Sequence, residues 1–506
     1  MSFRHWAASS CRALFALAAC APALAGEPHN LVLLVPEALP AASVEHGATP
    51  TLARLRAEGA YFINSYSGFP RLVTSEPSVP PTHLDVQALL RAADAAEYSI
   101  ALNLRPRPTS PGSTERSLET ALPKFKESNR PFVAVYHLEA RAPPRVVDEA
   151  LATIEELLKE QGLYESTNII VSAQSGLSTI WKESRTSRSL KPMYVGKPRE
   201  KLPPGFLAID LATALQEDIP SLSLFDPDDD NRIVDWGLGE HPKRGNAIIA
   251  SDPVDPYVKI EAKGGHSLIY LPDHLSKREA RHLALVLVEV LLMQDYVSGL
   301  FVDEGQVGSV RGALSMKHIG WHGGAGTRLP AIAVNFVSVS MGCERPTACT
   351  AVIADTPLED GQEIPGAFSR ADTWSFLAAR GPDFQSRLIS RPPASPADIV
   401  RTIGRLLRLE VGPERASDSR LLLESLRGNE GKEAPRVRKD VVVSKASDGL
   451  MTEVHLQWVG STRYFVAAGA PGWTVGVPHR DEAVGWRFWK WEWPRPRSFT
   501  IEITPD

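Results

Sequence analysis

Cysteine is scarce in this sequence of 506 residues, with 4 in total, which excludes a disulfide-rich scaffold. The chain also lacks a basic excess, because 55 Lys and Arg residues stand against 60 Asp and Glu residues, giving a net charge of −5. Dedicated nucleic-acid binders usually carry a strong positive balance. We therefore expect no nucleic-acid partner.

Long hydrophobic runs are missing beyond residue 30. No stretch there approaches the roughly 18 uninterrupted apolar residues of a membrane helix, and the longest candidate, residues 283–293, contains Glu289. We expect no transmembrane segment. The composition, 43% hydrophobic and 23% charged, is typical of a globular protein with a sizeable core.

The first 25 residues have the pattern of an export signal. Arg4 and Arg12 supply positive charge, residues 13–19 are apolar, and residues 23–25 form an A-x-A cleavage site. This pattern favours a periplasmic or secreted protein. In an alternative interpretation, residues 17–20 form a lipobox, which would place a lipid anchor on Cys20 and make the chain a membrane-anchored lipoprotein. A buried N-terminal helix is less favoured, because no polar face accompanies the apolar one.

Export changes the meaning of the remaining cysteines. A chain cleaved after Ala25 keeps only Cys343 and Cys349, which are six residues apart. In an oxidising compartment this spacing favours a local disulfide. A metal site is less favoured, because two cysteines without a nearby histidine cannot complete a tetrahedral shell.

The body of the chain alternates between short apolar runs and amphipathic helices. Apolar residues predict strands at 31–35, 132–136 and 168–172, and helical spacing predicts a helix over 147–158 and another over 51–59. Ser369 and Asp372 form a capping box ahead of a further predicted helix, residues 374–379. This alternation indicates an α/β fold with a mostly parallel central sheet covered by helices.

The pattern changes near residue 430. Residues 441–443, 454–459 and 464–467 alternate with a period of two, which predicts strands. Trp489, Trp491 and Trp493 would share one face of a final strand, and we expect them to pack a small sheet onto the main body rather than to bind sugars. The predicted organisation is a signal peptide over 1–25, one large domain over 26–428 and a β-rich extension over 429–506.

Several stretches together carry a family resemblance. They occur in order at residues 29–36, 49–59, 65–70, 163–171, 368–384, 396–399 and 459–465. This ordered set resembles the type I phosphodiesterase and nucleotide pyrophosphatase branch of the alkaline phosphatase superfamily, over roughly residues 29–478. The resemblance implies an alkaline-phosphatase-like αβα sandwich with its active site at the carboxyl ends of the strands. It also implies a pair of divalent ions, usually zinc, held by carboxylates and histidines, with a Thr or Ser that attacks phosphorus.

The side chains at the family's site positions depart from that pattern. Of the family's ligand positions, only the first Asp position clearly keeps a carboxylate, as Glu37, and Glu139 is a possible second. The other substitutions remove donors: the nucleophile position falls on Val73, with Thr74 one residue later, the Asp-His pair is replaced by Gln174 and Ser175, and a late His is replaced by Pro365.

These changes predict that the zinc pair is absent, because a catalytic zinc takes about three protein ligands of the His, Asp, Glu or Cys type. The favoured hypothesis is an exported, catalytically inactive homologue that binds an unidentified small molecule or protein. An active hydrolase of phosphate mono- or diesters with a rearranged site is one alternative. A structural envelope protein is another.

Other residues could in principle form a relocated metal centre. His318 and His322 would share a helix face, although Gly320 lies between them, and His266 precedes an apolar run. Residues 226–231 resemble a calcium loop but lack its Gly and its terminal Glu. We expect scattered histidines and a solvated turn.

Overall fold

The computed structural model describes residues 27–68, 86–102, 117–128, 130–138, 142–191, 194, 199–322, 328–409, 419–447 and 449–479. Its strands are β1 (Asn30–Pro36), β2 (Ala60–Phe62), β3 (Ser99–Leu102), β4 (Phe132–Leu138), β5 (Thr167–Ser172), β6 (Ser178–Trp181), β7 (Ser223–Asp226), β8 (Arg232–Ile233), β9 (Ala247–Ala250), β10 (Val258–Ala262), β11 (His266–Tyr270), β12 (Val297–Val302), β13 (Ala313–Ser315), β14 (Ile332–Phe336), β15 (Ser338–Ser340), β16 (Thr350–Ile353), β17 (Glu363–Ile364), β18 (Leu377–Arg380), β19 (Leu388–Ser390), β20 (Val437–Val443), β21 (Glu453–Val459) and β22 (Thr462–Gly469). Its helices are α1 (Pro50–Glu58), α2 (Val86–Ala95), α3 (Leu118–Ser128), α4 (Pro144–Glu160), α5 (Phe206–Asp218), α6 (Lys277–Leu292), α7 (Glu304–Val307), α8 (Arg370–Thr373) and α9 (Pro396–Leu406).

A mostly parallel sheet of seven strands lies at the centre, in the order β19-β2-β18-β5-β1-β4-β3. β1 pairs in parallel with both β4 and β5, while β18 runs antiparallel between β2 and β5. The predicted strands at 31–35, 132–136 and 168–172 are confirmed as β1, β4 and β5. Their continuous apolar runs reflect burial on both faces, as parallel sheets require.

Helices cover both faces of this sheet. Alternate residues of β1 point to opposite sides, so Leu33 packs with α2 and α9, whereas Leu34 packs with α1, α3 and α4. Five side chains of the predicted apolar stripe of α4 are buried, namely Val147, Leu151, Ile154, Leu157 and Leu158. The three layers form the predicted αβα sandwich.

One predicted helix is wrong. The Ser369 side chain accepts a hydrogen bond from the Asp372 backbone N–H, as the capping box predicted, but α8 ends at Thr373. Residues 377–380 form β18 instead of continuing the helix. Hydrogen bonding to β2 on one side and β5 on the other satisfies the backbone of this short apolar segment, and this tertiary pairing outweighs its helical propensity.

A second sheet has eight mostly antiparallel strands in the order β13-β12-β14-β11-β10-β9-β7-β8. Side chains of α5 and α6 share a hydrophobic core with side chains of this sheet. A smaller sheet has the order β15-β16-β6-β17. Both sheets lie within the interval 26–428 that was predicted as one domain.

The predicted C-terminal strands are confirmed as the antiparallel sheet β20-β21-β22. Val454, Leu456 and Phe465 of this sheet pack with Leu268 and Phe301 of the second sheet. The C-terminal sheet is therefore fixed to the main body by its own apolar face. The stripe Trp489, Trp491 and Trp493 lies outside the described residues.

Candidate functional site

The parallel strands bring three of the predicted site positions to one edge of the central sheet, which we call the carboxyl edge because β1, β4 and β5 end there. The Gln174 backbone N–H donates to the Pro36 carbonyl over 3.0 Å, and Ala38 forms a bridge with Ser175. Glu37, Gln174 and Ser175 are therefore neighbours at this edge.

The Ser175 side chain is engaged within the protein backbone. Its hydroxyl donates to the Glu37 backbone carbonyl over 3.0 Å, and its own carbonyl accepts from the Leu39 N–H over 3.0 Å. Gln174 is buried, and Glu37 is half-buried. The carboxyl edge thus offers one carboxylate, one amide and one hydroxyl at these three positions.

Asp372 joins the start of β6 to the turn that follows Pro365, where its Oδ1 accepts from the Ala367 N–H over 3.1 Å. The Asp372 carboxylate accepts hydrogen bonds from Ser178 Oγ at 2.5 Å and Ser369 Oγ at 2.7 Å. Burial raises the pKa of this carboxyl, although these hydrogen bonds oppose the change. With its oxygens engaged in this way, Asp372 holds the loop geometry and is not directed toward a ligand.

Pro365 follows β17, whose Ile364 pairs with Ser178. The next residue, Gly366, has a φ of +101° and accepts a hydrogen bond at its carbonyl from His266 Nδ1 over 2.9 Å. His266 is buried beside Phe368, and burial lowers its pKa to about 4. The imidazole is therefore neutral at pH 7. It packs against Phe368 and holds the turn through its hydrogen bond to the Gly366 carbonyl.

His137 was overlooked in the sequence. It lies in β4, pairs with Val35, and is half-buried, which lowers its pKa. Its position directly after the predicted central strand 132–136 was the signal that could have identified it. His137 adds an imidazole to the carboxyl edge, near the end of β1.

Arg370 was also overlooked. Its guanidinium lies 4.0 Å from the centre of the Tyr66 ring and donates to the Ser65 carbonyl over 3.1 Å. Burial lowers the pKa of Arg370. The loop after β2 is further held by a hydrogen bond from the Ser67 N–H to the Thr373 carbonyl, at 2.8 Å. Arg370 thus fixes the chain that leads toward the predicted nucleophile position.

Val73, Thr74 and Glu139 lie outside the described residues. Within the described part of the chain, no group of three or more His, Cys, Asp or Glu side chains is placed to hold a metal ion. The described family positions do not fit a zinc pair, because the Ser175 hydroxyl is directed to a backbone carbonyl and Pro365 has no donor atom.

Neither alternative metal motif, the His318 and His322 pair or the acidic segment 226–231, forms a set of metal ligands in the described part of the chain. His318 belongs to a short 3₁₀ turn that ends at Gly320, so it does not share a helix face with His322. The acidic segment after β7 is a turn, but Asp226 is buried and accepts from the backbone N–H groups of Asp228 and Lys243 at 2.9 and 2.7 Å. The turn was predicted correctly, whereas full solvation of its carboxylates was not.

Cys343 and Cys349 are joined by a disulfide bond, as predicted. Among the described helices, none combines the length and the apolar character needed to cross a membrane.

Comparison with known proteins yields no matching family model and no matching curated protein. Among solved structures, the chain is similar to human ectonucleotide pyrophosphatase/phosphodiesterase 5, with 11% sequence identity and a TM-score of 0.44. The match covers 76% of this chain and 96% of that one.

Proposed function

We propose that this chain is an exported member of the alkaline phosphatase superfamily, from the phosphodiesterase branch, that binds a ligand at the carboxyl edge without hydrolysing it. The ordered sequence stretches support the family, and the αβα core has the arrangement that the family implies. The proposed ligand is a small molecule or a protein that would bind at the carboxyl ends of the strands.

One observation carries the proposal of inactivity. The family's Asp-His pair corresponds to Gln174 and Ser175, and the Ser175 hydroxyl donates to the Glu37 backbone carbonyl. A serine held in this way does not replace a charged ligand and an imidazole. Such enzymes derive much of their rate from metal-stabilised charge, so loss of these donors removes several orders of magnitude.

The test is a hydrolase assay on the purified chain with a phosphomonoester and a phosphodiester, each with and without added zinc. We expect turnover at the level of the buffer control. Zinc-dependent turnover would contradict the proposal, and its loss in Thr74→Ala or His137→Ala would then support a rearranged active site. Elemental analysis of the same sample measures bound metal independently of activity, and we expect substoichiometric zinc.

A further inference from the structure

A cavity of about 460 Å³ opens at the edge of the central sheet where β1 and β5 begin, which we call the amino edge. Its walls come from the end of α1, the segment before β5 and the chain that follows β18. It therefore lies at the opposite edge of the sheet from Glu37 and Ser175. Its volume is in the range of small-molecule sites.

Three arginines line this cavity, namely Arg380, Arg387 and Arg427, against two carboxylates, Glu58 and Glu165. Within the described part of the chain, none of the three guanidinium groups forms an ion pair with a carboxylate. The nearby Asp383 does not neutralise them, because its carboxylate contacts His29 and Asn168.

The arginines are held by neutral partners. The Arg380 guanidinium lies 4.3 Å from the centre of the Tyr164 ring and donates to the Tyr164 hydroxyl. Arg427 Nε donates to the Phe384 carbonyl over 3.0 Å. These contacts position the guanidinium groups without cancelling their charge, so further N–H donors stay available.

Arg387 has an energetically unfavourable backbone conformation. Its φ is +54°, a region in which glycine or asparagine is favoured over a long side chain. A hydrogen bond from its backbone N–H to the Glu58 carbonyl, at 2.8 Å, holds this turn at the rim of the cavity. The turn therefore presents an exposed arginine to the cavity mouth.

We propose that the amino-edge cavity binds a small multivalent oxyanion, recognised by Arg380, Arg387 and Arg427 through its phosphate or carboxylate oxygens. Guanidinium groups match both oxyanions by paired N–H donors. The excess of positive charge favours an anion over a cation or a neutral ligand. This proposal is independent of the function proposed for the carboxyl edge.

The experiment is calorimetric titration of the full chain with pyrophosphate and, separately, with citrate, at low ionic strength. Binding of either probe supports the proposal, and the preferred probe identifies the phosphate or carboxylate chemistry. We expect Arg387→Gln to weaken binding at least about tenfold, because it removes one of the three positive charges that would contact the anion. We expect affinity to fall as salt is raised.

Arg438→Gln is the matched control. Arg438 also stacks on an aromatic ring, 4.8 Å from the centre of the Trp458 ring, but it lies on the C-terminal sheet. We expect its affinity to equal that of the unaltered chain, and circular dichroism checks that both variants are folded. Absence of binding at millimolar probe, or equal affinity in all three proteins, would overturn the proposal.

Discussion

Gly176 lies so close to Ala371 that a Cβ atom added to Gly176 would stand 1.9 Å from the Ala371 carbonyl oxygen. The Gly176 backbone N–H also donates to the Asp372 carbonyl over 2.7 Å. This contact packs the segment after Ser175 directly on α8. Only the smallest residue fits here, so the shape of the carboxyl edge depends on this glycine.

We predict that Gly176→Ala lowers the free energy of unfolding by roughly 3 kcal/mol or more, because the clash is with backbone that has no rotamer to change. Gly47→Ala is the control, since a Cβ at Gly47 would meet nothing within 4 Å. Urea titration followed by circular dichroism measures both variants. Equal stability of the two would show that the α8 segment moves freely away from Gly176.

The disulfide supports a second prediction. Cys343 and Cys349 close a short loop beside β15 and β16. Replacing both with serine should lower the free energy of unfolding by roughly 2 kcal/mol, because an unfolded chain with an open loop has more conformational freedom. Peptide mapping of the unaltered chain should recover the two cysteines in one linked peptide. Recovery of two free thiols would contradict the bond.

Which elements the sequence predicts depends on whether local pattern and tertiary contact agree. β1 and α4 can be predicted from their own residues. A strand buried on both faces is a continuous apolar run, and a helix buried along one stripe has apolar residues at helical spacing. β18 does not, because its strand state depends on pairing with β2 and β5, which are distant in sequence. The eight-stranded sheet was likewise not anticipated, since its pairings are set by chain crossings that no local window contains.

The candidate site shows the same division. The family resemblance singled out Glu37, Gln174 and Ser175, and in the structure these three residues lie close together. Two hydrogen bonds were not predicted, namely from Arg370 to the Ser65 carbonyl and from His266 to the Gly366 carbonyl. Each joins residues more than 90 positions apart in the sequence. Residue type alone did not mark either side chain as part of this edge.

Two buried carboxyls give a prediction for pH. Asp355 Oδ1 accepts from the Gly205 N–H at the start of α5 over 2.6 Å, and its other oxygen has no hydrogen-bond partner among the described atoms. Burial raises the pKa of Asp355 to about 7, although Lys182 lowers it and Asp210 raises it further. Burial likewise raises the pKa of Asp210 to about 7.

Because the folded pKa of Asp355 lies above its unfolded value, its contribution to stability is fully present below pH 3.8 and is lost as the pH rises toward 7. Asp355→Asn keeps an acceptor for Gly205 and removes this titration. We predict that its free energy of unfolding, relative to the unaltered chain, rises between pH 4 and pH 8 by on the order of 2 to 4 kcal/mol. Stability curves that run parallel from pH 4 to pH 8 would contradict the raised pKa of Asp355. Asp94→Asn, at an exposed helical site, is the control.

The last prediction concerns the lost zinc pair. Pro365→His restores an imidazole at the family's late His position, but Gln174 and Ser175 still supply an amide and a hydroxyl that donates to a backbone carbonyl. One imidazole with Glu37 gives two contacts to an ion that needs about three or four. We therefore expect zinc affinity within about tenfold of the unaltered chain and no hydrolase activity.

The combined variant Val73→Thr, Gln174→Asp, Ser175→His and Pro365→His is the matched comparison, because it returns the nucleophile and three ligands, one carboxylate and two imidazoles, at once. Calorimetry with zinc and a phosphodiester assay should be run on both proteins. Proline fixes φ and donates no N–H, so Pro365→His alone also frees the turn that Gly366 completes. If that single change produced tight, stoichiometric zinc binding, the missing ligands would already be present at the carboxyl edge, and the proposed loss of the metal site would be wrong.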